Sequence, residues 1–143
     1  SPPPFKSVIL GPLPHRVVSL ALGFELSPGK VCFSEQAQNH VWNRHQEHFE
    51  LCYRVLPQLI RRPTCIGQGP NHRHDAFEMI LSLADHIHIL AGIRLRPTRK
   101  GLYHVKSSYP ISSVTIAHRL QSGHLRKVSL PQFHGMPTPT DEA

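Results

Sequence analysis

The segment from His86 to Tyr109 constrains the fold more than any other part of the sequence. In HIHILAGIRLRP, one set of residues alternates with another: Ile87, Ile89, Ala91, Ile93 and Leu95 against His86, His88, Leu90, Gly92, Arg94 and Arg96. A period of two is typical of a strand with one face in the core, and the other face is here predicted to be basic. The residues PTRKG suit a hairpin loop, and LYHVKSSY supplies the returning strand. The chain is therefore expected to contain an antiparallel sheet.

In the returning strand, strict alternation assigns each side chain to one of two sides. Tyr103, Val105 and Ser107 fall on one side, and His104, Lys106 and Ser108 fall on the other. The polar set on the second side is a candidate for binding or catalysis.

Two helical patterns precede the hairpin and one follows it. Ser34 is a candidate N-cap for a helix that runs into NHVWNRHQEHF, residues 39–49. Apolar residues spaced near 3.6 predict a second helix from Phe49 that ends before Pro63. A last helix, VTIAHRLQ, is expected after Ser112 or Ser113. Helices first and an antiparallel sheet afterwards indicate an α+β domain.

Both ends of the chain are rich in proline, which denies the backbone regular hydrogen-bond ladders. We therefore expect an N-terminal extension at 1–14, a single domain at 15–130 and a C-terminal tail at 131–143. Residues 16–34 are expected to form one or two short strands, or a strand and a turn. Because the chain begins with Ser1, we expect a domain excised from, or processed out of, a longer protein.

The charge of the chain favours a polyanionic partner. Sixteen Lys and Arg against nine Asp and Glu give a formal net charge of +7, which favours nucleic acid ahead of a membrane surface. No apolar run approaches the roughly 18 to 20 residues of a membrane-spanning helix. Cys32, Cys52 and Cys65 are odd in number and lack C-x-x-C spacing, so neither a disulfide framework nor a thiolate zinc site is indicated. Cys52 is expected to be a buried free thiol.

The histidines raise the question of a metal site. Three pairs have short spacings: His45 with His48, His72 with His74, and His86 with His88. Zinc needs three or four convergent ligands, and the sequence contains neither H-E-x-x-H nor a Cys/His pattern. We therefore expect no metal and no other cofactor, while a metal-dependent, histidine-rich nuclease remains an alternative.

Acid–base catalysis is the other use of clustered histidines. Cleavage of RNA without a metal needs a base for the 2′-OH, an acid for the departing 5′-oxygen, and cations or donors around the phosphorus. Residues 40–45 and 104–109 supply all of these types. On an ideal helix His40 and Arg44 share a face, but His45 lies about 140° from His40. Both histidines can reach one substrate only if the helix bends or ends near His45. His48 is expected on a solvated face.

Three motifs resemble the phage-derived branch of the barnase–EndoU–colicin–RelE group of nucleases. They are VCFSEQAQNHVWNRH, PTCIG after a helix, and GLYHVKSSYPI. The matching positions are Val31, Phe33, Ser34, His40, Arg44, His45, Tyr103, Val105, Ser107, Ser108 and Tyr109, within a span of roughly 31–125. The resemblance implies helices packed against a small antiparallel sheet, metal-independent RNA cleavage, and use as a toxin domain at the C-terminus of a larger delivered protein.

We therefore expect an endoribonuclease that leaves a 2′,3′-cyclic phosphate, with a specific set of residues. The expected catalytic residues are His40, His45, Lys106, Ser108 and Tyr109, and the expected phosphate-binding residues are Arg44, Arg94, Arg96 and His104. Which histidine is base and which is acid stays open, and His104 could replace either. The alternative from another class is a nucleic-acid-binding module without catalysis.

The expected partners follow from the same interpretation. They are an RNA substrate and an acidic immunity protein, with no membrane partner. The domain is expected to be a monomer that acts in the cytoplasm of a target cell after delivery.

Overall fold

The computed structural model of the protein describes residues 4–70 and 75–128. The helices within these residues are α1 (His15–Leu22), α2 (Glu35–His45), α3 (Phe49–Arg61) and α4 (Ser113–Ser122), with a 3₁₀ turn at Gln46–His48. The strands are β1 (Val8–Pro12), β2 (Lys30–Phe33), β3 (Cys65–Gly67), β4 (Ala76–Ala84), β5 (Ile87–Arg94), β6 (Leu102–Ile111) and β7 (Leu125–Lys127).

The strands form one sheet in the order β1-β2-β6-β5-β4-β3-β7. All neighbouring strands are antiparallel except β2 and β6, which are parallel. The α+β class and the β5–β6 hairpin are thus confirmed. The expectation of a small sheet that follows the helices is wrong: the sheet has seven strands, it is mostly antiparallel, and β1 and β2 precede α2 and pair beside β6.

Capping residues set the ends of the predicted helices. The Ser34 hydroxyl accepts a hydrogen bond from the Ala37 backbone N–H at 3.1 Å, which starts α2. Ser112 does the same for α4 through the Thr115 N–H at 3.1 Å. Gly123 ends α4 in the left-handed region at φ 84°. These ends confirm the predicted helices.

The segment at 16–34, expected as strands, contains α1 as well as β2. Helix α1 starts directly after Pro14, whose φ of −74° suits a helix entry, and stops at Gly23 with φ 83°. It buries Val18 against the core. Tertiary packing and the two end signals therefore override the strand preference of the neighbouring valines.

The N-terminal segment 1–14, expected as an extension, belongs in large part to the domain. Strand β1 pairs with β2, and the Phe5 ring lies 4.9 Å from the Phe49 ring, centroid to centroid. The buried amide of Gln38 donates to the Lys6 carbonyl at 2.6 Å. This correction moves the start of the domain ahead of residue 15. The expected tail at 131–143 lies outside the described residues.

Two apolar clusters occupy the two faces of the sheet. The larger one packs α2 and α3 against the sheet, and the smaller one lies under α4 around Ile80, Leu90 and Ile116. The predicted basic face of β5 is therefore wrong in its middle, where Leu90 and His88 are buried, while Arg94 is exposed. Cys32, Cys52 and Cys65 are buried free thiols, as predicted for Cys52.

Candidate active site

Helix α2 ends at His45, the point where the expected site needs a bend. The His45 backbone has φ −140° and ψ 48°, well outside the helical region, and the 3₁₀ turn begins with the next residue. This break lets His45 turn toward the side occupied by His40 and Arg44. All three side chains line one pocket.

A β-bulge in β6 rearranges the predicted strand face. Gly92 of β5 pairs with Ser107 and the next residue, Ile93, pairs with Val105, so Lys106 is the extra residue. A bulge of this kind reverses the alternation of side chains beyond it. Ser107 therefore turns toward the pocket, whereas strict alternation had placed it on the opposite side.

Ser108 is accordingly not a site residue. It is fully buried, and its hydroxyl donates to the Leu90 carbonyl at 2.9 Å. A side chain in that position cannot contact a bound phosphate. The prediction for Ser108 is wrong because the bulge, rather than strict alternation, decides which serine faces the pocket.

The pocket that holds the two histidines, called here the histidine pocket, has a volume of about 250 Å³. Its lining combines polar groups from α2 and β6 with a floor from β4 and β5: His40, Arg44, His45, Lys106, Ser107 and Tyr109, then Ala76, Glu78, Leu90 and Gly92. The predicted residues from the helix and from the strand are thus brought together.

A second pocket of about 430 Å³ adjoins the first and is called here the arginine pocket. Arg94 and His104 line it, together with Ser34 and Gln36 from the start of α2. His40 and Lys106 line both pockets, so the two form one groove. Arg96 is exposed and is not among the residues that line either pocket.

The environment of His45 favours its neutral form. Partial burial lowers the pKa of His45, and the nearby positive charge of His40 lowers it further. The Glu47 carboxylate opposes this by raising that pKa, while His48 and Arg44 lower it. A neutral imidazole can accept a proton, as a general base must.

Tyr109 stands beside His45, with ring centroids 5.0 Å apart. Burial raises the pKa of Tyr109, and the Glu78 carboxylate raises it further, although Arg119 opposes the shift. The phenol therefore keeps its proton near neutral pH and can donate a hydrogen bond into the pocket.

Two ion pairs border the histidine pocket. The Lys106 ammonium lies 3.0 Å from the exposed Asp75 carboxylate. The Arg119 guanidinium lies 2.7 Å from the buried Glu78 carboxylate. Glu78, Ser107 and Arg119 are absent from the predicted site. Glu78 could have been suspected, because it is the only charged residue of the apolar strand AFEMILSL.

The remaining histidines lie apart from the two pockets where the structure describes them. His48 is half-exposed beside Glu47, as expected of a solvated residue. His118 is exposed on α4. His72 and His74 lie outside the described residues. Within 4–70 and 75–128, no three His, Cys, Asp or Glu side chains group closely enough to hold a metal ion. No helix in these ranges has the length and apolar character needed to cross a membrane.

Comparison with known proteins adds no relative. No protein-family model matches the chain, and neither a curated protein nor a solved structure matches it.

Proposed function

We propose that this protein is a metal-independent endoribonuclease that cleaves RNA by attack of the 2′-OH, with a fold of the barnase–EndoU–RelE kind. One observation carries the proposal. Two histidines, two cations and two hydroxyl donors from α2 and β6, elements far apart in sequence, line a single pocket. A proton acceptor, a proton donor and charge-stabilising groups are what this reaction needs from a protein.

The roles of the two histidines follow from their surroundings. His45 acts as the base, because burial and the neighbouring His40 lower its pKa and favour the neutral form. It removes the proton of the 2′-OH, and the oxygen attacks the adjacent phosphorus. His40 donates a proton to the departing 5′-oxygen as the P–O bond breaks. The products are a 2′,3′-cyclic phosphate and a new 5′-OH.

The other pocket residues stabilise the charge that develops on the phosphoryl oxygens. Lys106 and Arg44 supply positive charge, and Ser107 and Tyr109 supply O–H donors. The raised pKa of Tyr109 suits this role, because only the neutral phenol can donate.

The arginine pocket extends the groove for a longer chain. Arg94 and His104 line it, and it shares His40 and Lys106 with the histidine pocket. A polyanion bound at the scissile phosphate would place a neighbouring phosphate here, where a guanidinium can hold it. An enzyme that cuts within a chain benefits from this second contact.

The biological setting is part of the same proposal. A basic ribonuclease domain with the motifs of the phage-derived group fits a toxin delivered as the C-terminal part of a larger protein. It would act in the cytoplasm of a target cell, as a monomer, and an acidic immunity protein would neutralise it in the producer.

Incubation with total RNA in EDTA tests the enzymatic proposal directly. We expect cleavage that continues in EDTA and gives fragments with 2′,3′-cyclic phosphate ends, while DNA survives because it lacks the 2′-OH. The double variant His40→Ala/His45→Ala, purified in the same way, controls for contaminating ribonuclease. Binding without cleavage would select a nucleic-acid-binding module. Cleavage that requires Mg²⁺ and leaves 5′-phosphates would select a metal-dependent nuclease.

A further inference from the structure

Among the residues that the structure describes, Glu78 is the only acidic one that lines the histidine pocket. Its side chain is 2 % exposed, so the carboxylate sits at the pocket wall with little access to bulk water. A carboxylate near a phosphodiester repels it, and the repulsion grows as water is excluded. The position of Glu78 in a pocket of otherwise basic and neutral groups therefore calls for a chemical reason.

The surroundings of Glu78 hold its carboxylate in one orientation. Arg119 of α4 donates to Oε1 at 2.7 Å. On another side, Gly69 approaches so closely that a Cβ at this glycine would lie 3.1 Å from the same oxygen. The bond to Arg119 uses one of about four acceptor positions that a carboxylate offers. Glu78 therefore contributes to the pocket lining with a carboxylate that is held in place, charge-balanced by Arg119, and left with further acceptor positions.

The residues that line the pocket next to Glu78 are small. Ala76 and Gly92 line the same pocket and present almost no side chain. Because β4 and β5 pair antiparallel, with Glu78 opposite Gly92, the open space lies directly beside the carboxylate. A planar base could occupy this space while its own phosphate lies among His40, His45 and Lys106.

We propose that Glu78 is a specificity-determining residue that selects guanine in the nucleotide carrying the attacking 2′-OH. This inference rests on the proposed ribonuclease function. Among the RNA bases, only guanine presents two adjacent N–H donors, N1–H and the N2 amino group, which match the two oxygens of a carboxylate. Uracil flanks its N–H with carbonyl oxygens that the carboxylate repels. Adenine and cytosine place a ring-nitrogen acceptor beside their amino group.

The variant Glu78→Gln tests the inference with little change of shape. Its amide oxygen still accepts from Arg119, so its NH₂ group replaces the acceptor that faces the base. The substrates are four oligodeoxynucleotides with a single ribonucleotide, G, A, C or U, at one position. We expect the parent to cut the G substrate with the highest kcat/KM. In Glu78→Gln, the ratio of G to the other three should fall roughly ten- to a hundredfold.

The pattern of change separates selectivity from a structural role. A parent with no preference for G, or a variant that loses rate equally on all four substrates, would overturn the inference. Leu10→Ala is the matched control, because it weakens the packing of β1 against the larger apolar cluster and touches neither pocket lining nor Arg119. This control should melt earlier than the parent and keep the parent's base preference.

A binding measurement separates this inference from the ribonuclease proposal. Calorimetric titration with the four nucleoside 3′-monophosphates does not depend on cleavage. Preference of the parent for the guanine nucleotide, lost in Glu78→Gln, would support base selection even if no oligonucleotide were cut. Equal binding of all four nucleotides by the parent would overturn base selection, and it would leave the cleavage proposal to its own test.

Discussion

At the scale of single residues, His45 combines a change of backbone direction with a lowered pKa. Partial burial and the charges of His40, His48 and Arg44 lower this pKa, and the Glu47 carboxylate raises it. If His45 is the base, kcat/KM falls as pH drops through its pKa, because the protonated ring cannot accept a proton. We therefore expect the acid limb of the pH–rate profile to lie below the ordinary histidine value of about 6.5.

Glu47→Gln supplies the internal check on this assignment. Removing the carboxylate removes the influence that raises the pKa of His45, so the acid limb should move to still lower pH. A pH series of kcat/KM on the parent and the variant measures the shift. An acid limb that stays in place or moves upward would assign the base to another residue.

Replacing the histidines one at a time should separate catalysis from stability. We expect His40→Ala and His45→Ala each to lose about 10²- to 10⁴-fold in the rate of RNA cleavage, because each removes a proton-transfer group. His48→Ala should cleave like the parent, since its half-exposed side chain lies apart from the pockets. All three should melt near the parent temperature, with changes under about 0.5 kcal/mol. Normal cleavage by both of the first two variants would place the site elsewhere, with His104 and His118 the next pair to test.

The two adjacent serines of β6 should behave in opposite ways. Ser107→Ala removes a donor from the pocket, and we expect a rate loss on the order of 10²-fold with unchanged stability. Ser108→Ala removes the buried hydrogen bond to the Leu90 carbonyl, and we expect a loss of about 1 kcal/mol in the free energy of unfolding. Urea denaturation and cleavage assays on both variants measure this. The reverse result would mean that the bulge at Lys106 does not orient this strand.

At the scale of elements, the sequence predicts the helix ends, because these depend on interactions between residues close together in the chain. Ser34, Ser112 and Gly123 mark helix ends because their side chains or backbone satisfy terminal groups within a few residues. The apolar spacing of α3 likewise predicts its buried stripe. The predicted site requires that α2 bend or end near His45. The polar residues after His45 are compatible with such a break, but they do not predict it.

Features of the sheet that depend on pairing between residues far apart in the chain could not be predicted from local sequence patterns. The bulge at Lys106 depends on how β6 registers against β5. The N-terminal segment is placed by the pairing of β1 with β2 and by the contacts of Phe5 with Trp42 and Phe49. The prolines of this segment, taken alone, suggest a free extension. The parallel pairing of β2 with β6 depends on residues from both halves of the chain. Among the residues that line the histidine pocket, His40, Arg44, His45, Lys106 and Tyr109 were in the predicted site. Glu78 is marked in the sequence only as a charged residue in an apolar strand, and its place beside them depends on the sheet.

Neighbouring residues of β1 provide a matched test that this strand belongs to the domain. Leu10 packs against the larger apolar cluster, whereas Ile9 is 52 % exposed. We expect Leu10→Ala to lower the free energy of unfolding by about 1–2 kcal/mol, since part of its side chain leaves water on folding. Ile9→Ala should change it by about 0.5 kcal/mol or less. Equally small effects of both substitutions in urea denaturation would indicate that β1 does not pack against the domain and is an extension.

At the scale of the whole molecule, the net charge of +7 bears on the partner that would control a toxin. Arg44, Arg94 and Lys106 give the groove a basic character. An acidic surface is the complement that binds such a face quickly and blocks it. We expect a neighbouring gene to encode an acidic protein that binds tightly and restores growth when co-expressed. High expression of the active, unaccompanied domain without harm would contradict the toxin interpretation.

The parallel pairing of β2 and β6 has a consequence for synthesis. It joins residues 30–32 to residues 102–104, so it forms only after almost the whole domain has left the ribosome. Contacts this distant along the chain also form late in folding, because a long loop must close first. Helix α2, which forms one wall of the groove, follows β2 directly in the sequence. Strand β6 forms the other wall. A nascent chain therefore carries the histidines long before it carries the groove, and under the proposed function a chain cut short ahead of β6 would not cleave RNA.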